Sequence, residues 1–448
     1  MSKQYRPYQP NQCYLMPPSL DEWLPQDHLA RFVNEIVDEL DLSAIFASYE
    51  QKLKGYPPYH PGMMMKVLLY AYAVGVYSSR KIERRIHEDI AFRYLAAGNF
   101  PDFRTINTFR KRHLKEFRDL FVQVLQLCRQ AGLVKLGTIA VDGTKFKANA
   151  SIHKAMSYGR MKKEETRLQA EIDELLRRVE QVNNREDKRF GDRRGDELPE
   201  ELAIREKRLA KIREAKQALE AEAKARAEAE AKKKKPDDPN DHSDPPGDST
   251  PVVDDKAQRN FTDPDSRVQK DGKTFIQGFN AQVAVDAETQ VILGALLRTS
   301  SADVDALPAV LDEVIQLVGT PDRVVADAGY YSQNNLDEVK RRHMAPFIPP
   351  NKVKHSEWRK PASRGPLPKT PRERMARFLR TKRGREIYRL RQISVEPVFG
   401  QIKEARGFRR FSLRGHGSAT AEFMLVASVH NLLKLFRHQA GRTSATAC

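Results

Sequence analysis

Cysteine is scarce: the chain has three, Cys13, Cys128 and Cys448, widely separated. They make no CxxC pair and no Cys/His zinc spacing, and an odd count does not suit a disulfide framework. Long apolar runs are missing as well. The longest apolar run, 67–77, has 11 residues, whereas a membrane-spanning helix needs about 20. The opening residues, MSKQYRPYQPNQCYLMPPSL, lack the continuous apolar segment of a secretory signal. These absences argue against a membrane protein, a secreted disulfide protein and a zinc finger. Negative charge is in deficit too: 78 Lys and Arg stand against 60 Asp and Glu, a net +18. Such an excess makes a polyanion the leading class of partner.

What is present is unevenly spread over the 448 residues. Residues 352–414 hold 20 Lys and Arg and 5 Asp and Glu, a net +15. Residues 236–267 hold 9 Asp and 3 Lys and Arg, a net −6, with many prolines. A stretch so polar cannot bury apolar surface and is expected to be an acidic disordered linker. Before it lies a biased helical segment, 160–235. Leu168, Ile172, Leu175, Val179 and Val182 follow the spacing of a coiled-coil seam. Residues 183–199 break it, and Leu202, Leu209, Ile212 and Leu219 resume it. The pattern predicts an inserted antiparallel helical hairpin, with a plain solvated spacer as the other reading.

Residues 1–135 read as an all-α N-terminal domain. Pro61 suits the first position of an apolar helix, and Thr105 the cap of a helix whose apolar face includes Phe109, Phe117, Leu120, Phe121, Val124 and Cys128. Arg80, Lys81, Arg84, Arg85, Arg110, Lys111 and Arg112 fit either a helix-turn-helix-like DNA-binding module or a bundle with a solvated basic face. The centre changes period. A strand at 138–146, a hairpin of 279–286 and 290–298, a helix at 306–318 and short strands at 323–326 and 346–348 precede a helix at 384–404. Mixed periods of this kind indicate an α/β core.

Three acids stand where chemistry could be built. Asp142 lies in the strand 138–146, Asp327 directly follows the apolar strand RVVA, and Glu396 lies in the helix containing VEPVFGQIK. Strand ends converge at a sheet edge, and a helix can carry a third acid across to them. Carboxylates so gathered suit Mg2+, which takes oxygen ligands together with water and substrate phosphate. Two such ions stabilise both oxygens of a phosphoryl transfer. Each acid also has a plain reading. Asp142-Gly143 is a common turn pair, Asp327 could cap a helix start, and Glu396 could be a surface residue paired with Lys403. The strongly basic surroundings of Glu396 shift the balance towards a nucleic-acid phosphotransferase.

VDGTKFKANAS, VVADAGYYS and YRLRQISVEPVFGQIKEARGFRRFSLRG resemble the acidic motifs of bacterial DDE-type insertion-sequence transposases, in the branch with a YREK-type third motif. PYHPGMMMKVLLYAYAVGVYSSRKIERRI and FRTINTFRKRH resemble the N-terminal domain of that branch. The resemblance spans 20–155 and 270–435. It implies a ribonuclease-H-like catalytic core, formed by 136–159 and 268–440, with the hairpin 160–235 and the linker 236–267 inserted. It implies Asp142, Asp327 and Glu396 as ligands of two Mg2+ ions, with Mn2+ as a substitute. Tyr388, Arg391 and Lys403 match the remaining letters. Arg391 precedes Glu396 with four residues between them, one more than the family pattern.

The implied activity is metal-dependent cleavage of DNA at the inverted-repeat ends of an element, followed by strand transfer into target DNA. Lys403, two helical turns from Glu396 on nearly the same face, and Arg391 are expected to hold phosphates near the scissile bond. Tyr388 is expected to stack on a displaced base or bind phosphate, and Arg406, Arg409, Arg410 and Arg414 to track the backbone. The expected state is a homodimer on double-stranded DNA in the bacterial cytoplasm, at the nucleoid and away from membranes. A non-catalytic DNA-binding or structural protein explains the charge and the heptads but not the acids. A metal-dependent nuclease without strand transfer is the remaining alternative.

Overall fold

The computed structural model describes residues 19–50, 57–190, 200–233, 253–272, 274–351 and 369–446. The expected linker residues 236–252, the basic stretch 352–368, and the side chains of Val179 and Val182 lie outside what is described. Seven helices open the described chain: α1 (Leu29–Glu39), α2 (Ser43–Glu50), α3 (Pro61–Ala73), α4 (Ser79–Glu88), α5 (Ile90–Leu95), α6 (Phe103–Arg112) and α7 (Glu116–Gln130). Pro61 starts α3 behind the cap His60, and nearly every side chain of α3 is buried, as befits a helix apolar on all sides. Two expectations need correction here. Asp102, not Thr105, caps α6: its carboxylate accepts the Thr105 N–H at 2.6 Å. The apolar face from Phe109 to Cys128 also belongs to two helices, because the chain turns between Arg112 and Glu116.

The sheet is built from β1 (Thr138–Lys147), β4 (Arg267–Asp271), β5 (Thr274–Asp286), β6 (Ile292–Arg298), β7 (Arg323–Ala326) and β8 (Ala345–Phe347). The small strands β2 (Ala155–Ser157) and β3 (Gln258–Asn260) pair separately. β5 lies antiparallel to β1, β4 and β6, while β7 runs parallel to β1 and β8 parallel to β7. The helices α10 (Leu307–Val318) and α11 (Gln333–Arg341) make the crossovers into β7 and β8. Parallel neighbours need such connections, whereas β5 and β6 close through a tight turn.

α12 (Pro371–Phe378), α13 (Lys382–Gly400) and α14 (His416–Thr446) complete the chain. α14 packs against α7, α3 and β6, and one apolar core runs from α1 through the sheet to α14. Asn431 on α14 accepts the Ile292 N–H and donates to the Ile292 C=O, both at 2.8 Å, so its amide pairs with β6 as a strand would.

α8 (Tyr158–Phe190) and α9 (Glu200–Lys233) form the arm. Glu171 pairs with Arg205, Glu165 with Arg213 and Tyr158 with Glu220, so the numbers fall on α9 as they rise on α8 and the helices are antiparallel. Leu168, Ile172, Leu202, Leu209, Ile212 and Leu219 share a second apolar cluster. The helix α8 continues through 183–190, where the sequence suggested a break. The end of the expected linker also departs from disorder. Residues 253–267 carry β3 and bury Asn260, Asp263 and Ser266. The reason is polar: Asn260 donates to the Ser151 C=O at 2.8 Å, and Arg259 and Arg267 pair with Glu222 on α9.

Candidate functional site

On the parallel pair β1 and β7, Val141 stands opposite Ala326. The next residues, Asp142 within β1 and Asp327 just past the end of β7, therefore stand side by side. The adjacent Gly143 N–H donates to Asp142 Oδ1 at 2.9 Å, and the Gly329 N–H donates to Asp327 Oδ1 at 2.7 Å. Asp327 thus caps the short turn 328–330, as its plain reading had it, and still stands beside Asp142.

Glu396 arrives on α13, one residue before Pro397. A proline inside a helix gives no N–H to the carbonyl four residues back, here that of Ile393. Gln290, in the turn between β5 and β6, fills the gap: its Nε2 donates to the Ile393 C=O at 2.9 Å. Gln290 Oε1 accepts from Lys434 at 2.7 Å and from Gln401 at 3.1 Å. One side chain therefore ties the β5–β6 turn to the helix that carries Glu396.

The acids meet at Arg391. Its guanidinium donates to Asp142 Oδ2 at 2.8 Å and to Glu396 Oε1 at 2.7 Å, spanning the extra residue in the 391–396 spacing. Burial pushes the Asp142 carboxyl up to about 7; Arg391 pulls it down, while Asp327 and Glu396 push it further up. Tyr388 lies one turn before Arg391, and burial raises its phenol above the usual range. Removing a carboxylate from water disfavours its charged form, and like charges nearby add to that cost. The donor set, carboxylate oxygens only, fits a hard divalent cation, and Asp142 and Glu396 already converge on one cationic group. Among the described residues no three His, Cys, Asp or Glu side chains stand in a metal-holding arrangement; the guanidinium occupies the middle.

The basic residues separate into groups. After α13 the chain makes a π-helical turn, 401–405, which alters the helical phase. Lys403 is therefore not two regular turns from Glu396 on the same face. Its Nζ donates to Thr144 Oγ1 at 2.6 Å and to the Lys145 C=O at 2.7 Å, next to the Phe146 ring. Arg406 departs from the expected backbone track. It is turned inward, donating to the Gln401 C=O at 3.1 Å and contacting His430 at 3.2 Å, and burial lowers its pKa to about 10. Arg110, one of the basic residues offered for the N-terminal face, is likewise buried. Arg409, Arg410 and Arg414 are exposed. Arg410 and Arg414 line a recess of about 550 Å3 with Lys147, His153, Lys154 and the exposed ring of Phe275.

Sequence reasoning missed the polar side chains beneath the acids. Asn280 and Gln282 are fully buried in β5, and Tyr330 donates to Gln282 Oε1. Their signal was in FNAQVAVD, where two amides interrupt an otherwise apolar buried strand.

Two family models match the chain. The Transposase DDE domain matches residues 245–432, and the Transposase domain (DUF772) matches residues 18–112. Asp327 and Glu396 lie inside the first match, and Asp142 lies between the two. No curated protein and no solved structure matches the chain.

Proposed function

Because the chain belongs to the DDE transposases of insertion sequences, enzymes of DNA transposition, we propose that it cuts the ends of its own element and joins them to target DNA. The observation that carries this reading is that Asp142 and Glu396 share the Arg391 guanidinium, with Asp327 beside Asp142 at the end of β7. The strand order β6-β5-β1-β7-β8, antiparallel on one side of β1 and parallel on the other, supports a ribonuclease-H-like core.

Asp142, Asp327 and Glu396 would hold the divalent ions, read here as two Mg2+. Bound there, the ions would lower the pKa of a water and offset charge on the reacting phosphate. Hydrolysis forms a bond from water oxygen to phosphorus and breaks the bond from phosphorus to the 3′ oxygen. The freed 3′-hydroxyl then attacks a phosphodiester of the target. Positioning and charge stabilisation do most of the work in such transfers. Arg391, freed from the acids, would meet the scissile phosphate. Lys403 fixes the strand segment after Asp142. Arg409, Arg410 and Arg414 offer charge to the backbone further out, and Tyr388 an aromatic surface. The N-terminal helices, with Arg80, Lys81, Arg84 and Arg85 on α4, would bind the inverted repeats of double-stranded DNA as a homodimer, in the bacterial cytoplasm. The arm 160–235 is read as an insertion between the first two acids. Among the described residues no helix is long and apolar enough to cross a membrane.

The test is single-turnover cleavage of a duplex carrying the element end, followed by a strand-transfer assay into a plasmid. Cleavage and joined product, both lost in Glu396→Gln, support the reading. Cleavage with no joined product makes the protein a nuclease, and binding with no cleavage makes it a DNA-binding protein.

A further inference from the structure

Asp303 sits at the start of the short turn 304–306 that leads into α10, where an aspartate would ordinarily cap the helix. Its side chain makes no capping bond. It crosses instead to the sheet. Oδ1 accepts from Asn280 Nδ2 at 2.7 Å and from Gln282 Nε2 at 2.8 Å, and Lys145 Nζ stands 3.5 Å away. Asn280 is fully buried, and in the orientation that donates to Asp303 its own Oδ1 has no partner. A buried acceptor left without a donor is costly, so the bond to Asp303 is kept against a penalty.

Two glycines flank this carboxylate. A Cβ at Gly143, next to Asp142, would lie 3.0 Å from Asp303 Oδ1 and 2.3 Å from Gln282 Nε2. A Cβ at Gly329, whose N–H donates to Asp327, would lie 3.7 Å from Asp303 Oδ2 and 2.9 Å from Asp327 Oδ1. One oxygen of Asp303 thus faces the backbone beside Asp142 and the other the backbone beside Asp327. Oδ2 has no hydrogen-bond partner among the described residues. The placement is rigid. Asn335 donates to the Val304 and Tyr330 carbonyls, each at 2.7 Å, and so locks the segment after Asp303 to the segment after Asp327. An asparagine could accept the same bonds, so what the carboxylate adds is charge, which answers Lys145 at 3.5 Å and faces the two acids.

We propose that Asp303 is a fourth functional carboxylate, a positioning residue that supports Asp142 and Asp327 from beneath and strengthens their hold on divalent cations. The proposal rests on the reading of those acids as metal ligands. Residues behind a metal's direct ligands typically alter affinity roughly 10- to 100-fold. Asp303→Asn should weaken Mn2+ binding by about that factor, while Asp303→Glu, which keeps the charge, should recover most of it. Lys145→Met removes the cation beside Asp303 and should tighten Mn2+ binding.

The experiment is calorimetric titration of the full-length protein with Mn2+ in the absence of DNA, with melting curves for each variant and Asp142→Asn as reference. Loss of binding in Asp142→Asn, weakening in Asp303→Asn and recovery in Asp303→Glu support the proposal. Loss in Asp142→Asn with unchanged affinity in Asp303→Asn overturns it and leaves the metal reading standing. Unchanged affinity in both variants overturns the metal reading and the proposal with it. Equal weakening in folded Asp303→Asn and Asp303→Glu assigns the effect to packing and also overturns it. Should Asp303→Asn fail to fold, an unchanged affinity in Lys145→Met is the overturning result.

Discussion

Two clusters of arginine and carboxylate lie in this molecule, and they are built to opposite rules. Inside the core, Arg110 stands 3.9 Å from Glu422 with Tyr72 between them: Arg110 donates to the Tyr72 hydroxyl at 3.1 Å, which donates to Glu422 at 2.7 Å. The Ser412 N–H and hydroxyl and the Leu413 N–H also donate to Glu422, and Arg110 reaches the Tyr77 C=O at 3.0 Å. There one cation faces one anion, and both carboxylate oxygens are satisfied. At the sheet edge, one guanidinium serves Asp142 and Glu396, with Asp327 beside them and Glu396 half exposed. Three carboxylates face one cation. The first arrangement joins the N-terminal helices to α14. The second holds more negative charge than it neutralises, which a folding role does not require and a cation site does.

The comparison breaks first at the acids. Asp142→Asn, Asp327→Asn and Glu396→Gln should each slow single-turnover DNA cleavage by about a thousandfold or more, roughly 4 kcal/mol in barrier. DNA affinity and the melting temperature should hold, because each change relieves repulsion among the acids and leaves Arg391 at least one carboxylate partner. A variant that cleaves at a near-normal rate takes its residue out of the site. The core cluster should respond the other way. Glu422→Gln leaves Arg110 buried without its counter-charge, and breaking such a pair costs about 3–5 kcal/mol. Denaturant unfolding should show that loss; a stability equal to the parent's would mean that Tyr72 and the Tyr77 carbonyl suffice for Arg110.

A third variant stands between the clusters. Gln290→Ala leaves the Ile393 carbonyl without its donor, at a cost of about 1–3 kcal/mol if water does not replace it. The loss should appear both in stability and in cleavage rate, since Gln290 steadies the helix segment that presents Glu396. Loss of stability with an unchanged rate would show that Arg391 alone positions Glu396.

How much of this was legible in the sequence follows from the range of the forces. The strand RVVA and the hairpin around Glu288 were readable because their period and turn are local. Asp142 and Asp327 were readable because each ends an apolar strand segment. Lys403 was misplaced because a π-helical turn depends on tertiary contacts that no spacing shows. Arg406 and Arg110 were read as surface residues, facing DNA or solvent, because charge implies exposure until a buried partner is found, and their partners lie far along the chain, at His430 and Glu422. Gln290 and Asp303 act through contacts more than 20 residues away, so local pattern carried no sign of them.

The difference between Arg406 and its exposed neighbours can be sharpened with salt. Each phosphate contact on duplex DNA contributes about −0.9 to the slope of log affinity against log salt. Replacing Arg409 and Arg410 together by Ala should make the slope shallower by up to about 2 and weaken specific and random duplexes alike. Arg406→Ala should leave the slope alone and lower the melting temperature. A shallower slope in Arg406→Ala would return that residue to the DNA path.

The smallest expected effect is a pH dependence at Glu313 on α10, outside both clusters. Burial pushes its carboxyl up to about 6, against Arg118 at 3.5 Å and the Ala295 N–H at 3.1 Å. The folded pKa exceeds the ordinary value of 4.5, so the native state binds this proton more tightly than the unfolded chain does. The stability contribution is full below pH 4.5 and is lost as pH rises through about 6. A shift of that size corresponds to about 2 kcal/mol at most, and the exposed end of Arg118 reduces it. Glu313→Gln keeps an acceptor for the Ala295 N–H and removes the titration. Its stability relative to the parent should therefore rise between pH 4.5 and pH 6 and level off above. A difference that stays flat across that window would mean that Arg118 already neutralises Glu313 in the folded protein.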